Sequence, residues 1–439
     1  MKQQLNNKHN FSFIVDNKYA LAENIGQNGL SSALISEAQH EIDSAYQRVI
    51  AEQDKLSLLD ICNNTEQIDL SLDIAKEIKE KYNKLYVFGI GGSSLGGQTL
   101  CGTKFYQFLN NDNFQIIFID NIHYHNFNIF LENVDYKNTA FLTISKSGAT
   151  IETIAQILVT KDLFSAEIKK FGAENFYFIT ETNNTALAKI ASSLGRPIIK
   201  HHNKIGGRYS CFLPVALIPA KLANIELEQY VLGGKSMVED FLAAKNKSLV
   251  FGGATIMLAI MKKGYSNHVF MPYMQRLYQL IYWYAQLFAE SLGKDSKGMM
   301  PVKALGSVDQ HSQLQLFLDG PKNNFFTFVT QSSNNLGNKI NLDQELKEIN
   351  YFQNNTVGDV INANQEATIE TLAQSSVPLR RFHFQKFHDT ALGELMMYFM
   401  LETILLGYAL NINPFDQPAV EAGKIKAKDI LRSKNKLMI

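Results

Sequence analysis

The sequence predicts an α/β protein with parallel sheets in two domains, and three observations carry that expectation. Short apolar, β-favouring runs at 85–88, 114–119, 139–144 and 176–180 alternate with helical patterns, the signature of crossover-connected parallel strands. Two of these strands break at once into loops of glycine and hydroxyl residues, GIGGSSLGG from Gly89 and SKSGATIET from Ser145. A chain of 439 residues also exceeds what one ordinary core holds, so two domains are expected.

Composition narrows the function classes. Hydrophobic residues at 46% against 19% charged indicate a packed globular chain. The 42 Lys and Arg balance 42 Asp and Glu, so no global charge favours nucleic acid or an anionic membrane. Cys62, Cys101 and Cys211 are odd in number, lie far apart and form no CxxC. They predict free thiols in a reducing compartment rather than a disulfide framework or zinc knuckle. The start, MKQQLNNKHN, has no apolar h-region, which argues against a secretory signal and for the cytoplasm. The apolar stretch 395–412 carries Glu402 and Asn411, so it predicts a buried core helix rather than a membrane span.

Taken in order, residues 1–50 read as mostly helical after a polar start, with Leu30, Leu34, Ile35, Ala38, Ile42 and Ala45 at helical spacing. This is a packing arm without chemistry. A helix over 68–82 leads into the first strand, and a further helix is expected from about Gly96. The strand at 139–144 precedes SKSGATIET and an apolar helix over 150–164; the strand at 176–180 precedes a short helix at 186–194. Gly206-Gly207-Arg208 opens a second half, followed by an apolar segment at 213–222 with Pro214 and Pro219. Two strand-and-helix stretches occupy 249–292. Residues 323–355 are rich in Asn and Gln, yet 325–329 reads as a strand before a polar loop. A helix over 390–409 precedes Pro414-Phe415-Asp416-Gln417-Pro418. The expected boundaries are a helical arm at 1–47, a first domain at 48–200 and a second at 201–439.

Ligands of open parallel sheets bind beyond the carboxyl ends of the strands, where both small-residue loops fall. Glycine lets backbone approach a ligand closely, and a following helix presents free N–H groups to an anion. Ser93, Ser145, Lys146, Ser147 and Thr150 add hydroxyls and one ammonium, a set suited to a phosphate. Alternatively the loops bind nothing, with Thr150 or Ser147 capping a helix. Arg208 follows two glycines and suits an oxyanion that develops during reaction, or else lies on the surface. Glu290 ends an apolar helix containing Trp283, where desolvation favours a general base; the alternative is an ordinary pairing with Lys294. His311, in VDQHSQ, is a proton-transfer candidate among ten histidines, most of which a chain uses structurally. His123/His125 and His201/His202 lack carboxylate or Cys partners nearby, so no metal is expected. Lys424 follows a turn and a helix start at Pro418, which orients a side chain that chain ends usually leave solvated.

IGGRYS at 205–210 and PFDQPAVEAGK at 414–424 resemble the two signature motifs of the glucose-6-phosphate isomerase family. GIGGSSLG at 89–96, SKSGATIET at 145–153, AESLGK at 289–294 and DQHSQ at 309–313 stand in the order that family shows. The chain is similar to the compact bacterial type. The resemblance implies two sugar-isomerase (SIS) domains, each a parallel-sheet α/β/α sandwich, with an N-terminal helical arm and a C-terminal helical tail. It implies reversible conversion of glucose 6-phosphate to fructose 6-phosphate through an enediol(ate), a step of glycolysis and gluconeogenesis, without metal or nucleotide cofactor. By the same resemblance Gly92, Ser93, Ser145, Lys146, Ser147 and Thr150 bind the phosphate, and Gln286 and Gln417 contact substrate. Glu290 would move the proton between C2 and C1, Arg208 would steady the enediolate, and His311 and Lys424 would open the ring. The family takes its histidine from the partner subunit, which implies a homodimer. Two departures stand out: Leu292 where the family usually has Asn, and Gly148 where many members carry an aromatic residue.

Two other readings start from the same residues. A nicotinamide-dependent dehydrogenase would use the Gly-rich turn and Asp120, but no glycine follows Gly91 at a spacing of three, as G-x-G-x-x-G requires. A non-catalytic sugar-phosphate sensor would explain both loops but not Glu290, His311 and Lys424 together.

Overall fold

A computed structural model describes residues 11–104, 114–343 and 346–436; the polar start expected at 1–10 lies outside the described residues. The strands are β1 (Phe13–Asp16), β2 (Lys84–Phe88), β3 (Gln115–Ile119), β4 (Thr139–Ile144), β5 (Phe176–Thr180), β6 (Ile198–Lys200), β7 (Asn267–Pro272), β8 (Met300–Lys303), β9 (Asn324–Gln331) and β10 (Leu379–Phe384). The chain divides into two units, Asp54–Glu228 with the residues from Asn413 onward, and Gln229–Ile412 with the N-terminal residues through Gln53.

In the first unit the strand order is β3-β2-β4-β5-β6, and every pair is parallel. The order reverses at β2, whose Phe88 is level with Ile119 on one side and Thr143 on the other. The carboxyl ends of β2 and β4 therefore lie side by side. Period-two alternation decides what covers each face. Leu85 and Val87 pack with Ala75 and Ile78 of helix Thr65–Lys81 and with Val215, Ile218 and Leu222 of helix Pro214–Leu222. Tyr86 and Phe88 turn the other way, toward Phe127, Ile157, Leu187 and Ala191 from helices Tyr124–Glu132, Ile151–Leu163 and Ala186–Ser193. Sequential strands with helices on both faces make the expected α/β/α sandwich.

The second unit repeats the plan, with order β8-β7-β9-β10-β1. Here β7 takes the place of β2, flanked by the two parallel strands that follow it in the chain. On one face Val269, Met271, Phe326 and Phe328 meet Ile369 and Leu372 of helix Val357–Gln374. On the other, Phe270 stacks on Tyr284 at 4.3 Å and Phe382 meets Tyr398 at 5.0 Å. Those tyrosines belong to helices Tyr278–Leu292 and Asp389–Ala409. Helix Asp389–Ala409 is long and apolar enough to cross a membrane, but it is buried in the core of this unit.

The arm departs from the helical expectation. Helix Ser32–Ala51 forms, but Phe13–Asp16 pairs antiparallel with β10, with Phe13 buried and Ile14 exposed. The unit boundaries also differ from a division at 47 and 200. Residues 201–228 stay with the first sheet because Pro214–Leu222 covers one of its faces, and the arm stays with the second because β1 extends it.

Neighbouring glycines in helix Leu249–Lys262 have opposite surroundings. A Cβ at Gly253 would lie 1.6 Å from the Tyr398 hydroxyl oxygen, whereas one at Gly252 would meet nothing within 4 Å. Gly252→Ala is expected to raise stability by up to about 1 kcal/mol through helix propensity. Gly253→Ala is expected to lower it by about 1–3 kcal/mol through overpacking. Urea unfolding midpoints of the two variants check this; equal shifts would contradict the packing.

Candidate active site

The first unit assembles the two small-residue loops at the reversal point of its sheet. After β2 the chain makes a single 3-10 turn, Gly91–Ser93, then helix Leu95–Gly102. Gly91 has φ +57°, a left-handed conformation that glycine adopts without penalty. Gly92 is confined for a different reason: a Cβ there would lie 2.2 Å from the backbone carbon of Gly207. Two backbones cross in contact at this point, and the Ser210 hydroxyl donates to the carbonyls of Gly92 and Gly207. Ser93 is half-buried. Ser94 is buried and accepts from the Gln98 amide, which also donates to Asp120.

The loop after β4 is tied down from below. Ser145 Oγ and Thr150 Oγ1 are 2.9 Å apart, and Ser147 Oγ accepts from Ala149 N–H. Gly148, at φ +59°, lies against Thr185 and Thr180, and its carbonyl accepts from Leu187 N–H. The Lys146 carbonyl accepts from Glu181 N–H and the Thr180 hydroxyl. Thr150 occupies the N-cap position of helix Ile151–Leu163 but makes no side-chain cap bond. The capping alternative therefore fails at Thr150, and the helix N-terminus keeps N–H groups for an anion. Lys146 Nζ donates to the Asn203 carbonyl; burial lowers its pKa from the usual value, with Glu181 opposing. The packing also accounts for glycine at 148: a Cβ would stand 2.3 Å from Thr185, leaving no room for an aromatic ring.

Arg208 is 2% exposed, so it is not the surface arginine of the alternative reading. Its guanidinium donates to Gln417 Oε1 at 2.7 Å and to the carbonyls of Pro414 and Asp416 at 2.6 and 3.0 Å. This fork joins the two signature segments, 205–210 and 414–424, within one unit. Lys424, on helix Glu421–Lys436, is 55% exposed and pairs with Glu421 at 2.6 Å.

In the second unit, helix Tyr278–Leu292 carries Gln286 and Glu290 one turn apart. The Gln286 amide donates to Glu290 Oε1 at 3.0 Å, while its own Oε1 is buried without a hydrogen-bond partner. Glu290 is half-buried. His311 is exposed on the short helix Val308–Ser312. The polar residues beside it are engaged elsewhere. Asp309 accepts from Leu305 N–H and the Ser312 hydroxyl, and Gln310 accepts from the Tyr273 hydroxyl. Burial works against the Asp309 carboxylate, but hydrogen bonds from Gln313, Ser312 and Leu305 hold its pKa below the usual value. Among the described residues no group of three or more His, Cys, Asp or Glu could hold a metal ion. His201 is buried with Nδ1 2.9 Å from the His202 carbonyl, and burial pushes its pKa down to about 4.

Sequence reasoning missed Thr180, Thr185 and Asn203, which brace the second loop. Their signal was position alone: Thr180 ends β5, Thr185 follows it and Asn203 follows β6.

Fold and loops together define an α/β protein with an anion-suited switch point in its first sheet. The chain belongs to the phosphoglucose isomerase family, whose model matches residues 47–438. It is 29% identical over 434 residues to a probable glucose-6-phosphate isomerase of Methanococcus maripaludis, covering 96% of this chain and 94% of that protein. It is 31% identical over 374 residues to a glucose-6-phosphate isomerase of Campylobacter jejuni, covering 83% and 89%. Among solved structures, a hypothetical protein from Thermus thermophilus superposes with a TM-score of 0.86 at 27% identity, covering 95% of this chain and 99% of that one. A glucose-6-phosphate isomerase from Chlamydia trachomatis shares the fold, with a TM-score of 0.71 at 21% identity over 84% and 74%.

Gly148→Ala would impose a left-handed conformation costing about 1–2 kcal/mol and push the loop off Thr185. The expected result is a KM for sugar phosphate raised about tenfold or more and weaker inhibition by inorganic phosphate, both read from steady-state kinetics.

Proposed function

We propose that this chain interconverts glucose 6-phosphate and fructose 6-phosphate, an aldose–ketose isomerisation through an enediol(ate). Membership of the phosphoglucose isomerase family supports the reaction. The observation that carries the site assignment is the pair of hydroxyl-rich loops on adjacent parallel strands, with an uncapped helix start behind the second. In this reading Gly92, Ser93, Ser145, Lys146, Ser147 and Thr150 hold the phosphate. Binding energy spent on that remote group holds the open-chain sugar in a reactive geometry.

Glu290 takes the proton from C2 of the open-chain aldose; the C–H electron pair forms the C1–C2 double bond and the carbonyl pair moves onto O1, giving the enediolate. A proton then passes from O2 to O1 as the O2 carbonyl forms, and Glu290 returns its proton to C1. The Gln286 amide orients the Glu290 carboxylate. Arg208, with Gln417, is assigned to the developing oxyanion; its fork to 414–417 supplies the preorganisation that such stabilisation needs. His311 and Lys424 open the ring. The scheme calls for no metal or nucleotide.

His311 acts, in this proposal, on the sugar bound by the partner subunit of a homodimer. Its exposure supports that assignment. Exposed Val420, Ile430 and Leu431 offer apolar surface for an association. Three buried free thiols fit the cytoplasm as the compartment.

Glu290→Gln is expected to leave KM nearly unchanged and cut kcat by about 100- to 10,000-fold. Near-normal turnover, followed by coupled assay and NMR of the product, would remove Glu290 from the role. Mixing inactive Glu290→Gln with inactive His311→Ala after dissociation tests the shared site. Random exchange in a two-fold dimer makes half the dimers hybrid with one intact site each, so about a quarter of wild-type activity should return. No recovery despite confirmed exchange would place the histidine with its own subunit.

A further inference from the structure

A chain of polar groups runs through the core of the second unit, and the proposed reaction leaves it without a task. Arg380 and Glu402, at 0% and 1% side-chain exposure, form two parallel bonds of 2.5 and 2.8 Å. Arg380 Nε–H donates to Thr327 Oγ1 at 2.8 Å, and that hydroxyl lies 2.7 Å from His268 Nε2. His268 Nδ1 lies 3.2 Å from the Tyr284 hydroxyl. The Tyr398 hydroxyl donates to Glu402. These groups come from β7, β9, β10 and two helices, and all are buried.

Such a chain is a poor way to gain stability. A buried ion pair recovers about what it costs in desolvation, and well-packed apolar side chains often do as well or better. What it supplies is direction. Helix Tyr278–Leu292 lays Leu280, Ile281, Tyr284, Leu287 and Phe288 into the core. Apolar contact is non-directional, whereas a hydrogen bond has a defined length and angle. The Tyr284 ring is already stacked on Phe270 at 4.3 Å, so its hydroxyl is delivered to the imidazole in one place. Burial, with Arg380 nearby, holds the His268 pKa well below its usual value. The neutral ring then has one donor and one acceptor nitrogen, so it can join the Thr327 and Tyr284 hydroxyls. Gln286 and Glu290 follow on the same helix, two and six residues after Tyr284.

We infer that the Glu402–Arg380–Thr327–His268 chain is a positioning device, which through the Tyr284 hydroxyl fixes the height and rotation of the helix that presents Gln286 and Glu290. The inference rests on Glu290 being the base. It makes Thr327, His268 and Tyr284 positioning residues that touch no substrate.

The test compares purified Tyr284→Phe, Thr327→Val and Thr327→Ser enzymes with wild type and Glu290→Gln. Tyr284→Phe removes one oxygen and keeps the ring stack. Thr327→Val keeps the volume and loses the hydroxyl; Thr327→Ser does the reverse. Displacing a reacting group slightly costs up to about 100-fold, so kcat should fall about 10- to 100-fold in Tyr284→Phe and Thr327→Val, with KM within about twofold. Thr327→Ser should stay within about threefold of wild type, a rescue that a packing role would not produce. The deuterium isotope effect on kcat with C2-deuterated glucose 6-phosphate should rise in the two slow variants. If Thr327→Val does not fold, Tyr284→Phe carries the test. Unchanged kcat, a loss confined to KM, or Ser and Val variants falling alike would overturn the inference while a dead Glu290→Gln leaves the base in place. Full turnover in Glu290→Gln would remove the base and this inference with it.

Discussion

A parallel sheet sends every strand out through the same edge, and the chemistry proposed for this protein depends on that constraint. In the first unit β2 and β4 are neighbours in register, so loops more than fifty residues apart in sequence emerge side by side. Together they offer hydroxyls, an ammonium and two helix starts. The contact between Gly92 and Gly207 extends the arrangement, because only glycine lets the 205–210 segment lie against the first loop.

Much of this was legible in the sequence, for physical reasons. β2, β4 and β5 are fully or nearly enclosed, so each reads as an unbroken apolar run. Loops that need left-handed or closely packed backbone declare themselves as glycine, as at Gly91, Gly92 and Gly148. What stayed hidden depends on partners distant in the chain. β1, β6 and β8 have only three or four residues, too few for alternation to show. β10, Leu-Arg-Arg-Phe-His-Phe, does not look like an interior strand, because Arg380 becomes buriable only opposite Glu402. Likewise no local pattern announces that Arg208 will be enclosed by carbonyls of residues 414 and 416. The unit boundaries followed the same logic: β1 is assigned by the sheet it extends and helix Pro214–Leu222 by the sheet it covers, not by their place in the chain.

The two units use buried charge differently. Arg208 is enclosed by the Pro414 and Asp416 carbonyls and the Gln417 amide oxygen. Arg380 is matched by a full carboxylate and its role is internal. The same side chain is thus held by carbonyl dipoles in one place and by a full opposite charge in the other.

The enclosure of Arg208 also bears on how the chain matures on the ribosome. Its carbonyl ligand at Pro414 is translated 206 residues after it, once nearly all of the second unit has emerged. Until then the guanidinium lacks the Pro414 and Asp416 carbonyls that enclose it. The first unit can therefore collapse early around its sheet, but its arginine can be sealed in only after the second unit has been made, which ties completion of one nascent half to synthesis of the other.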